Sequence, residues 1–283
     1  MQSLWMLVAS FLFACMGVCV KMLAVSHSAV EIVFYRSFIS LILMLFLVRL
    51  RGISLATPCW RLHVSRGVIG FSALFTYFYA ITLLPLATAV TLNYTSAIFL
   101  AIYLALAGWR MSLGILAALA IGLLGVGLLL KPTLHADQLI AGLIGLASGV
   151  MAGMAYYNVR ELGARGEPEG RTVFYFSLVS SVCAAVWLSL TEIHAVDLHS
   201  GLLLLAVACF ATLAQLAMTR AYTRGKTLMA AALAYSTVIF SSLFGMLFWG
   251  EVLDASAWFA IGLIILSGIA ATHFSRASPV EQD

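Results

Sequence analysis

Apolar runs of about 20 residues recur along the whole chain, and short polar, proline-containing or charged clusters separate them. A run of this length lets an α-helix cross the roughly 30 Å hydrocarbon core of a bilayer. The sequence lacks the short alternating segments that are typical of a membrane β-barrel. The pattern predicts ten membrane-spanning helices, at about 3–23, 29–49, 64–83, 86–107, 111–130, 138–160, 171–191, 200–221, 227–249 and 255–274.

Composition supports this interpretation and excludes several classes of protein. Of the 283 residues, 63% are hydrophobic and 9% are charged, and the mean hydropathy is +1.08. Soluble domains are about half apolar and a quarter charged. We therefore expect an all-α polytopic membrane protein without a soluble part large enough to bind nucleic acid. The five cysteines form no C-x-x-C pair, so we expect neither a metal site nor another cofactor.

Lysine and arginine are distributed asymmetrically over the predicted loops. With the N-terminus in the cytoplasm, only Lys21 and Lys131 fall in outer segments, and twelve basic residues fall in inner ones. Short cytoplasmic loops are enriched in basic residues, so both termini are predicted to be cytoplasmic. The twelve are Arg49, Arg51, Arg61, Arg66, Arg110, Arg160, Arg165, Arg171, Arg220, Arg224, Lys226 and Arg276.

The two halves of the chain resemble each other. Residues 34–40, FYRSFIS, match residues 174–180, FYFSLVS, and residues 80–99 match residues 221–240 at a constant offset of 141. Each predicted half has five helices, and this odd number makes the second half enter the membrane in the opposite orientation. Inverted repeats are a recurring construction of secondary transporters, with the substrate site at the repeat interface near the midplane.

Three segments resemble the EamA family of the drug/metabolite transporter superfamily. They are AITLLPLATAVTLNYTSAIF (80–99), FWGEVLDASAWFAIGLIILSGI (248–269) and EIVFYRSF (31–38). The resemblance extends over residues 1–276. It implies ten helices in two inverted EamA repeats, the first at 1–131 with helices 1–5 and the second at 138–276 with helices 6–10.

The family resemblance also implies a function. It implies a carrier that transports amino acids or related metabolites, often out of the cell. It also implies a central cavity lined by helices 1, 3, 4, 6, 8 and 9. Some relatives resemble S-adenosylmethionine uptake carriers, and others export aromatic amino acids. The sequence departs from the family pattern at two places. Gly108-Trp109-Arg110 stands where the family commonly has Gly-Glu, which the second repeat keeps as Gly250-Glu251. Ala97 stands where proline is common.

Arg36 is a charge inside the second predicted helix, about 10 Å from its outer end. Intramembrane charges are rare and usually face a bundle interior or a watery cavity. Glu31 is five residues away and on a different face of the helix, so it is a poor partner. Arg36 therefore either has a structural role, reaching headgroups or a carbonyl, or binds a substrate carboxylate.

Polar and aromatic side chains near the middle of other helices are further candidates for substrate binding. The cluster 93–96 in the fourth helix has its counterpart at 235–237 in the ninth helix. Equivalent positions in both repeats favour a shared cavity over simple interhelical hydrogen bonding. Tyr156, Tyr157 and Asn158 fit an interfacial aromatic belt at least as well as a binding role. The predicted substrate-binding residues are Arg36, Tyr77, Asn93, Tyr94, Ser96, Tyr157, Gln215, Tyr235 and Thr237.

The outer loop 191–200 contains Glu192, His194, Asp197 and His199. Their spacing fits no strong zinc template, so we predict a solvated loop. Carboxylates occur only in loops or near helix ends, which argues against a proton antiporter with a central carboxylate. Proton coupling through the edge carboxylates Glu31 or Glu251 stays open, but a facilitator or exchanger fits better.

The preferred hypothesis is a secondary transporter that moves a small metabolite, an amino acid or an amino-acid derivative, by alternating access across the bacterial inner membrane. An uptake carrier or exchanger for a nucleoside-containing metabolite such as S-adenosylmethionine is the alternative. A non-transport scaffold or receptor is the alternative from another class. No HExxH or GxSxG motif is present, so an enzyme is not expected. The glycines at 122–127 fit helix packing or dimerisation, so the chain is predicted to be a monomer or a homodimer.

Overall fold

The structure is a computed structural model that describes residues 2–84, 86–130, 138–191, 193–250 and 252–277. The described residues form α-helices and no strands, after a short 3-10 helix at Gln2–Leu4. The helices are α1 (Trp5–Leu23), α2 (Ala29–Leu50), α3 (Trp60–Leu83), α4 (Leu86–Tyr94), α5 (Ser96–Leu106), α6 (Leu113–Leu130), α7 (Leu139–Ala164), α8 (Glu169–Leu188), α9 (Leu198–Arg224), α10 (Thr227–Ala234), α11 (Ser236–Trp249) and α12 (Ala255–Ala277).

Among the described residues, nine helical stretches are long and apolar enough to cross a membrane. Two of these stretches combine two helices, α4 with α5 and α10 with α11. The remaining long helix, α3, has 24 residues and carries Arg61, His63 and Arg66 in its first two turns, which reduces its hydropathy. The prediction of an all-α polytopic membrane protein is confirmed.

The fourth and ninth predicted helices are each interrupted. The first interruption is at Thr95 and the second at Tyr235, where the backbone N–H bonds to the carbonyl three residues earlier, at 3.2 Å and 3.3 Å. Such a tightened turn inside a long helix often marks a functional hinge. Thr95 and Tyr235 keep right-handed helical dihedral angles. The segments on either side of each tightened turn therefore form one membrane-spanning stretch, at Ala89–Leu106 and Thr227–Trp249, as predicted.

Two helix ends lie four residues beyond their predicted positions. α3 begins at Trp60 instead of residue 64, and α7 ends at Ala164 instead of residue 160. α7 stops where Gly166 adopts a positive φ of 76° and the Glu167 N–H bonds back to the Leu162 carbonyl at 3.0 Å, as in a Schellman-type end. Polar residues near the interface therefore continue these helices instead of ending them.

The most extensive helix contacts follow a symmetric pattern. α1 packs on α9 and α3 packs on α7, and α2 lies along α8 and α6 along α12. When each helix is replaced by its counterpart in the other half, the pair of α1 with α9 becomes the pair of α7 with α3. The pairs of α2 with α8 and of α6 with α12 stay the same. The largest buried core includes Leu100, Leu119, Val126 and many alanines of α5, α6, α9, α10 and α12. Small residues allow these helices to approach closely.

Candidate functional site

Tyr94 and Tyr235 meet where the two interrupted helices face each other. Their ring centroids are 6.0 Å apart, and the Tyr94 hydroxyl lies close to the side chain of Thr237. Thr237 Oγ1 donates to the Ala234 carbonyl at 2.9 Å, so its oxygen is free to accept from the Tyr94 hydroxyl. Tyr235 is fully buried, and its hydroxyl has no hydrogen-bond partner among the described residues. The interruptions therefore meet through polar side chains inside the bundle.

Three further tyrosines extend this contact into a cluster. Tyr156 of α7 stacks on Tyr222 of α9, with ring centroids 5.1 Å apart. Tyr77 and Tyr156 lie within electrostatic range of Tyr94. We call Tyr77, Tyr94, Tyr156, Tyr222 and Tyr235 the tyrosine cluster. Its members come from both halves of the chain.

Two buried arginines lie close to this cluster. Arg36 of α2 is 8% exposed and Arg66 of α3 is 3% exposed. Arg66 lies within electrostatic range of both Arg36 and Tyr156, and its guanidinium lies over the Phe176 ring at 4.3 Å from the centroid. Arg36 Nε, Arg66 Nε and Arg66 Nη1 have no hydrogen-bond partner in the described part of the chain. We call these two residues the arginine pair.

The structure brings several predicted site residues together and leaves others apart. Tyr77, Tyr94, Tyr235 and Thr237 meet at the cluster, and Arg36 approaches it through Arg66. Asn93 donates to Ser148 Oγ on α7 at 3.1 Å, which is a link between helices.

Ser96 is buried in the first turn of α5, and Tyr157 and Gln215 are half-buried on α7 and α9. Tyr157 packs against the same buried core as Tyr222 and Tyr235, and the binding roles of all three side chains stay predictions.

Sequence analysis missed Arg66 and Tyr222 as site candidates and left Tyr156 as an interfacial residue. Arg66 was counted among the basic residues of the inner segments, because it lies only two positions after residue 64, where the third helix was predicted to begin. Trp60, a residue type enriched at membrane interfaces, is the signal that places the start of α3 earlier. Tyr222 carries no such signal, because its position beside Tyr156 depends on how α7 and α9 pack.

A polar cluster at the start of α2 connects the two halves of the chain. Glu31 is fully buried and accepts hydrogen bonds from the backbone N–H of Ser28 at 2.7 Å and of His194 at 2.5 Å. The His194 ring lies 2.9 Å from the same carboxylate. The described residues of this loop before Ser200, at 191 and 193–199, are exposed as predicted, and His194 in addition ties the loop to α2. Glu192 of the same loop lies outside the described residues, as does Glu251.

A second polar cluster lies at the start of α8. Glu167 contacts His63 Nε2 at 3.1 Å and Arg171 Nη1 at 2.8 Å, and it accepts from Thr57 Oγ1 at 2.5 Å. Arg171 also donates to the Ser54 carbonyl at 2.7 Å. The start of α8 lies beside the end of α2, as shown by Gly170, where a Cβ would contact Ile53 and Val48. The Glu31 and Glu167 clusters therefore lie at opposite ends of the bundle.

Stability is expected to depend on pH through Glu167. Burial alone would raise the pKa of Glu167, but hydrogen bonds from Thr57, Arg171 and His63 outweigh it and hold that pKa below its ordinary value. The contribution of the Glu167 carboxylate to the free energy of unfolding is therefore complete above the pKa of about 4.3 that a glutamate has in the unfolded chain. It is lost as pH falls through the lower pKa of Glu167 in the folded protein. In thermal unfolding between pH 7 and pH 3.5, we expect the stability gap between wild type and Glu167→Gln, about 2 kcal/mol at neutral pH, to close in acid.

Glu161→Gln is the matched control for this experiment, since Glu161 pairs with its sequence neighbour Arg160 on the same helix and does not link two elements as Glu167 does. Its stability is expected to follow the wild type at every pH. A gap for Glu167→Gln that stays constant down to pH 3.5 would contradict the assignment.

An apolar groove on the outside of α2, α3 and α8 is separate from the tyrosine cluster. It holds about 170 Å³ of free space, and its lining includes Val33, Phe71, Phe75 and Trp187. It has no charged side chain in its lining. This groove suits a hydrocarbon chain and offers nothing that would bind an ionised metabolite.

Interrupted helices that meet over buried polar side chains, inside a bundle of apolar helices, are a construction that secondary transporters use. Residues 1–131 match the model of the EamA-like transporter family. The chain is 33% identical over 269 residues to a pseudopaline exporter of Pseudomonas aeruginosa, with 95% of this chain and 94% of that protein covered. The chain belongs to the EamA-like transporter family.

Other comparisons agree with this assignment. An uncharacterized transporter of Helicobacter pylori is 25% identical over 272 residues, which cover 93% of this chain and 91% of that protein. A solved crystal structure superposes with a TM-score of 0.85, covering 97% of this chain and 98% of the other at 20% identity. This superposition confirms the fold, and together the comparisons identify a multi-pass membrane transporter.

Proposed function

We propose that this protein is a secondary carrier that exports a small amino-acid derivative bearing carboxylate groups, by alternating access. The observation that carries the proposal is the meeting of the two interrupted helices through Tyr94, Tyr235 and Thr237. Hinges at matching places in both halves give each half a way to bend at the same depth. The tyrosine cluster and the arginine pair then lie where a substrate would be held between the halves.

The proposed motion exchanges the conformations of two inverted repeats, residues 1–131 and 138–276. The symmetric helix pairs α1·α9 and α3·α7 support this division, since each pair joins one repeat to the other. The Glu31 and Glu167 clusters link the repeats at opposite ends of the bundle. Opening one cluster while the other holds would expose the central residues to one side of the membrane at a time.

The relatives and the charge of the site support an outward-moving anionic substrate. The Pseudomonas aeruginosa relative is named as an exporter, and both buried charges beside the tyrosine cluster are cationic. S-adenosylmethionine, the substrate of the alternative hypothesis, has a cationic sulfonium centre that two arginines would repel. We propose that the carrier lies in the bacterial inner membrane with both termini in the cytoplasm.

Counterflow in proteoliposomes tests this function. Vesicles loaded with an N-(dicarboxyalkyl) amino acid are expected to exchange it with the labelled compound outside, and empty vesicles are expected to take up little. Labelled S-adenosylmethionine is expected not to exchange. Labelling Ala56→Cys and Ala195→Cys, in a background where the five native cysteines are replaced, reports how the protein is oriented, because these exposed residues belong to loops at opposite ends.

Exchange of S-adenosylmethionine in place of the carboxylated compounds would favour the alternative carrier. No exchange of either class, from protein that remains monodisperse, would overturn the proposed substrate class.

A further inference from the structure

We propose that Arg36 and Arg66 form one anion site that binds two carboxylate groups of the same substrate. This inference rests on the proposed transport function and makes it narrower: the transported metabolite is a dicarboxylate or a polycarboxylate. The second arginine is what extends the proposal, since a single buried arginine would be satisfied by one carboxylate.

The first argument is charge without compensation. Arg36 and Arg66 are both nearly fully buried and lie within electrostatic range of each other. Neither takes part in the ion pairs that form among the described residues. Two like charges in a dry bundle repel each other, and each loses its hydration. A dianion between them would remove both penalties at once.

The second argument is the number of donors left free. Arg36 Nε, Arg66 Nε and Arg66 Nη1 are buried N–H groups without a partner in the described ranges. Buried donors in folded proteins are nearly always paired. A guanidinium presents its N–H groups as a planar fork that matches the two oxygens of a carboxylate. Two such forks therefore match two carboxylates.

The third argument is that Arg66 is held in place and does not reach towards water. Its guanidinium lies over the Phe176 ring, and Gly70, one turn later on α3, leaves it the room to do so. A Cβ at Gly70 would lie 2.0 Å from Arg66 Nη1 and 3.0 Å from Phe176 Cε2. An arginine that extended to lipid headgroups would need neither the glycine nor the aromatic ring.

The fourth argument is position. In the repeat alignment, FYRSFIS (34–40) matches FYFSLVS (174–180), so Arg36 and Phe176 are equivalent residues of the two halves. The Arg66 guanidinium lies over the ring of Phe176 and within electrostatic range of Arg36. Tyr156 connects Arg66 to the tyrosine cluster. A substrate bound by the arginine pair would therefore place its remaining part against tyrosine rings.

Binding of a matched ligand series to the purified full-length protein tests the proposal. The probes are glutarate, its monomethyl ester and glutaramide, and the readout is the dissociation constant from isothermal titration. Wild type is expected to bind glutarate best and the diamide least. Arg36→Gln and Arg66→Gln are each expected to weaken glutarate binding by at least about tenfold, and to remove the preference of glutarate over its monoester.

Arg61→Gln is the charge-matched control, since Arg61 is an exposed residue of the same helix and its removal is expected to leave binding unchanged. Should Arg66→Gln fail to fold, Arg66→Lys and Gly70→Ala provide the same test. The lysine variant keeps the charge and loses the fork, and the alanine variant displaces the guanidinium. Both are expected to weaken glutarate binding more than monoester binding.

The same anion chemistry occurs in a lipid phosphate, and native mass spectrometry with phosphatidylglycerol separates the two sources. Variants that lose bound lipid but keep their affinity for glutarate would overturn the proposal. So would equal affinity of wild type for glutarate and its monoester. If Arg36→Gln and Arg66→Gln leave counterflow of the carboxylated amino acid unchanged, the arginine site is wrong while the transport function stands.

Discussion

A Gly149→Ala substitution is expected to destabilise the protein and to reduce transport strongly, whereas Gly127→Ala is not. Gly149 lies on α7 directly against the interruption between α4 and α5. A Cβ at this position would lie 2.6 Å from the Leu92 carbonyl oxygen and 2.3 Å from Thr95 Oγ1. The backbone carbonyl cannot swing aside as a flexible side chain could, so one of the two helices must move.

Overpacking of this kind typically costs about 1–3 kcal/mol. Since the displaced segment is the proposed hinge, we expect transport to fall further than stability alone would explain. Gly127 of α6 is the matched control, because a Cβ there meets nothing within 4 Å. Alanine at that position is expected to leave stability unchanged or raise it by up to about 1 kcal/mol, through its higher helix propensity.

Thermal unfolding followed by tryptophan fluorescence, together with counterflow, measures both effects. Equal unfolding temperatures for the two alanine variants would show that α7 does not press on the interruption as closely as the structure indicates.

A Glu31→Ala substitution is expected to cost more stability than any change to the histidine it contacts. The buried Glu31 carboxylate accepts from the backbone N–H groups of Ser28 and His194 and also pairs with the His194 ring. Its removal leaves two backbone donors without their acceptor, which costs about 1–3 kcal/mol for each one that stays buried. The end of the bundle that joins α2 to the loop before α9 would then open more easily.

His194→Ala separates the backbone contact from the ring contact. The Glu31 carboxylate is buried but the His194 side chain is 54% exposed, so water screens the ring contact and we expect it to contribute at most about 1 kcal/mol. The variant also keeps the N–H that Glu31 accepts. We expect a small loss of stability, close to that of His199→Ala in the same loop. A loss as large as that of Glu31→Ala would mean that the ring pair, and not the backbone acceptor, holds this end.

Much of the membrane architecture was predictable because it depends on local sequence. The charge-free stretches around residues 5–20 and 113–130 must avoid water, and only a helix satisfies their backbone groups inside lipid. Gly108 and Gly250 also end their helices as local chemistry suggests, with positive φ values of 88° and 65°. The ends of α3 and α7 were less predictable, because polar side chains at a membrane surface are compatible with either helix or loop.

The candidate site was predicted only in part. Arg36, Tyr94 and Tyr235 could be chosen from the sequence, because a polar group in an apolar run needs a partner. Their partners could not be chosen in the same way. Arg66 is 30 positions from Arg36, and Tyr222 is 66 positions from Tyr156. These proximities arise from the packing of both α2 and α3 against α8 and from the packing of α7 against α9.

The sequence by itself determined that the chain crosses a membrane repeatedly as helices, where most of those helices lie, and which few polar residues they carry into the bilayer. These are consequences of transferring each segment from water to hydrocarbon, one segment at a time. The tertiary structure alone decided that two helices are interrupted, that Arg36 is buried near Arg66, and that Glu31 and Glu167 join elements at opposite ends of the bundle. Those features depend on contacts between helices that are far apart in the chain, where side-chain shape and the pairing of buried charges select one packing.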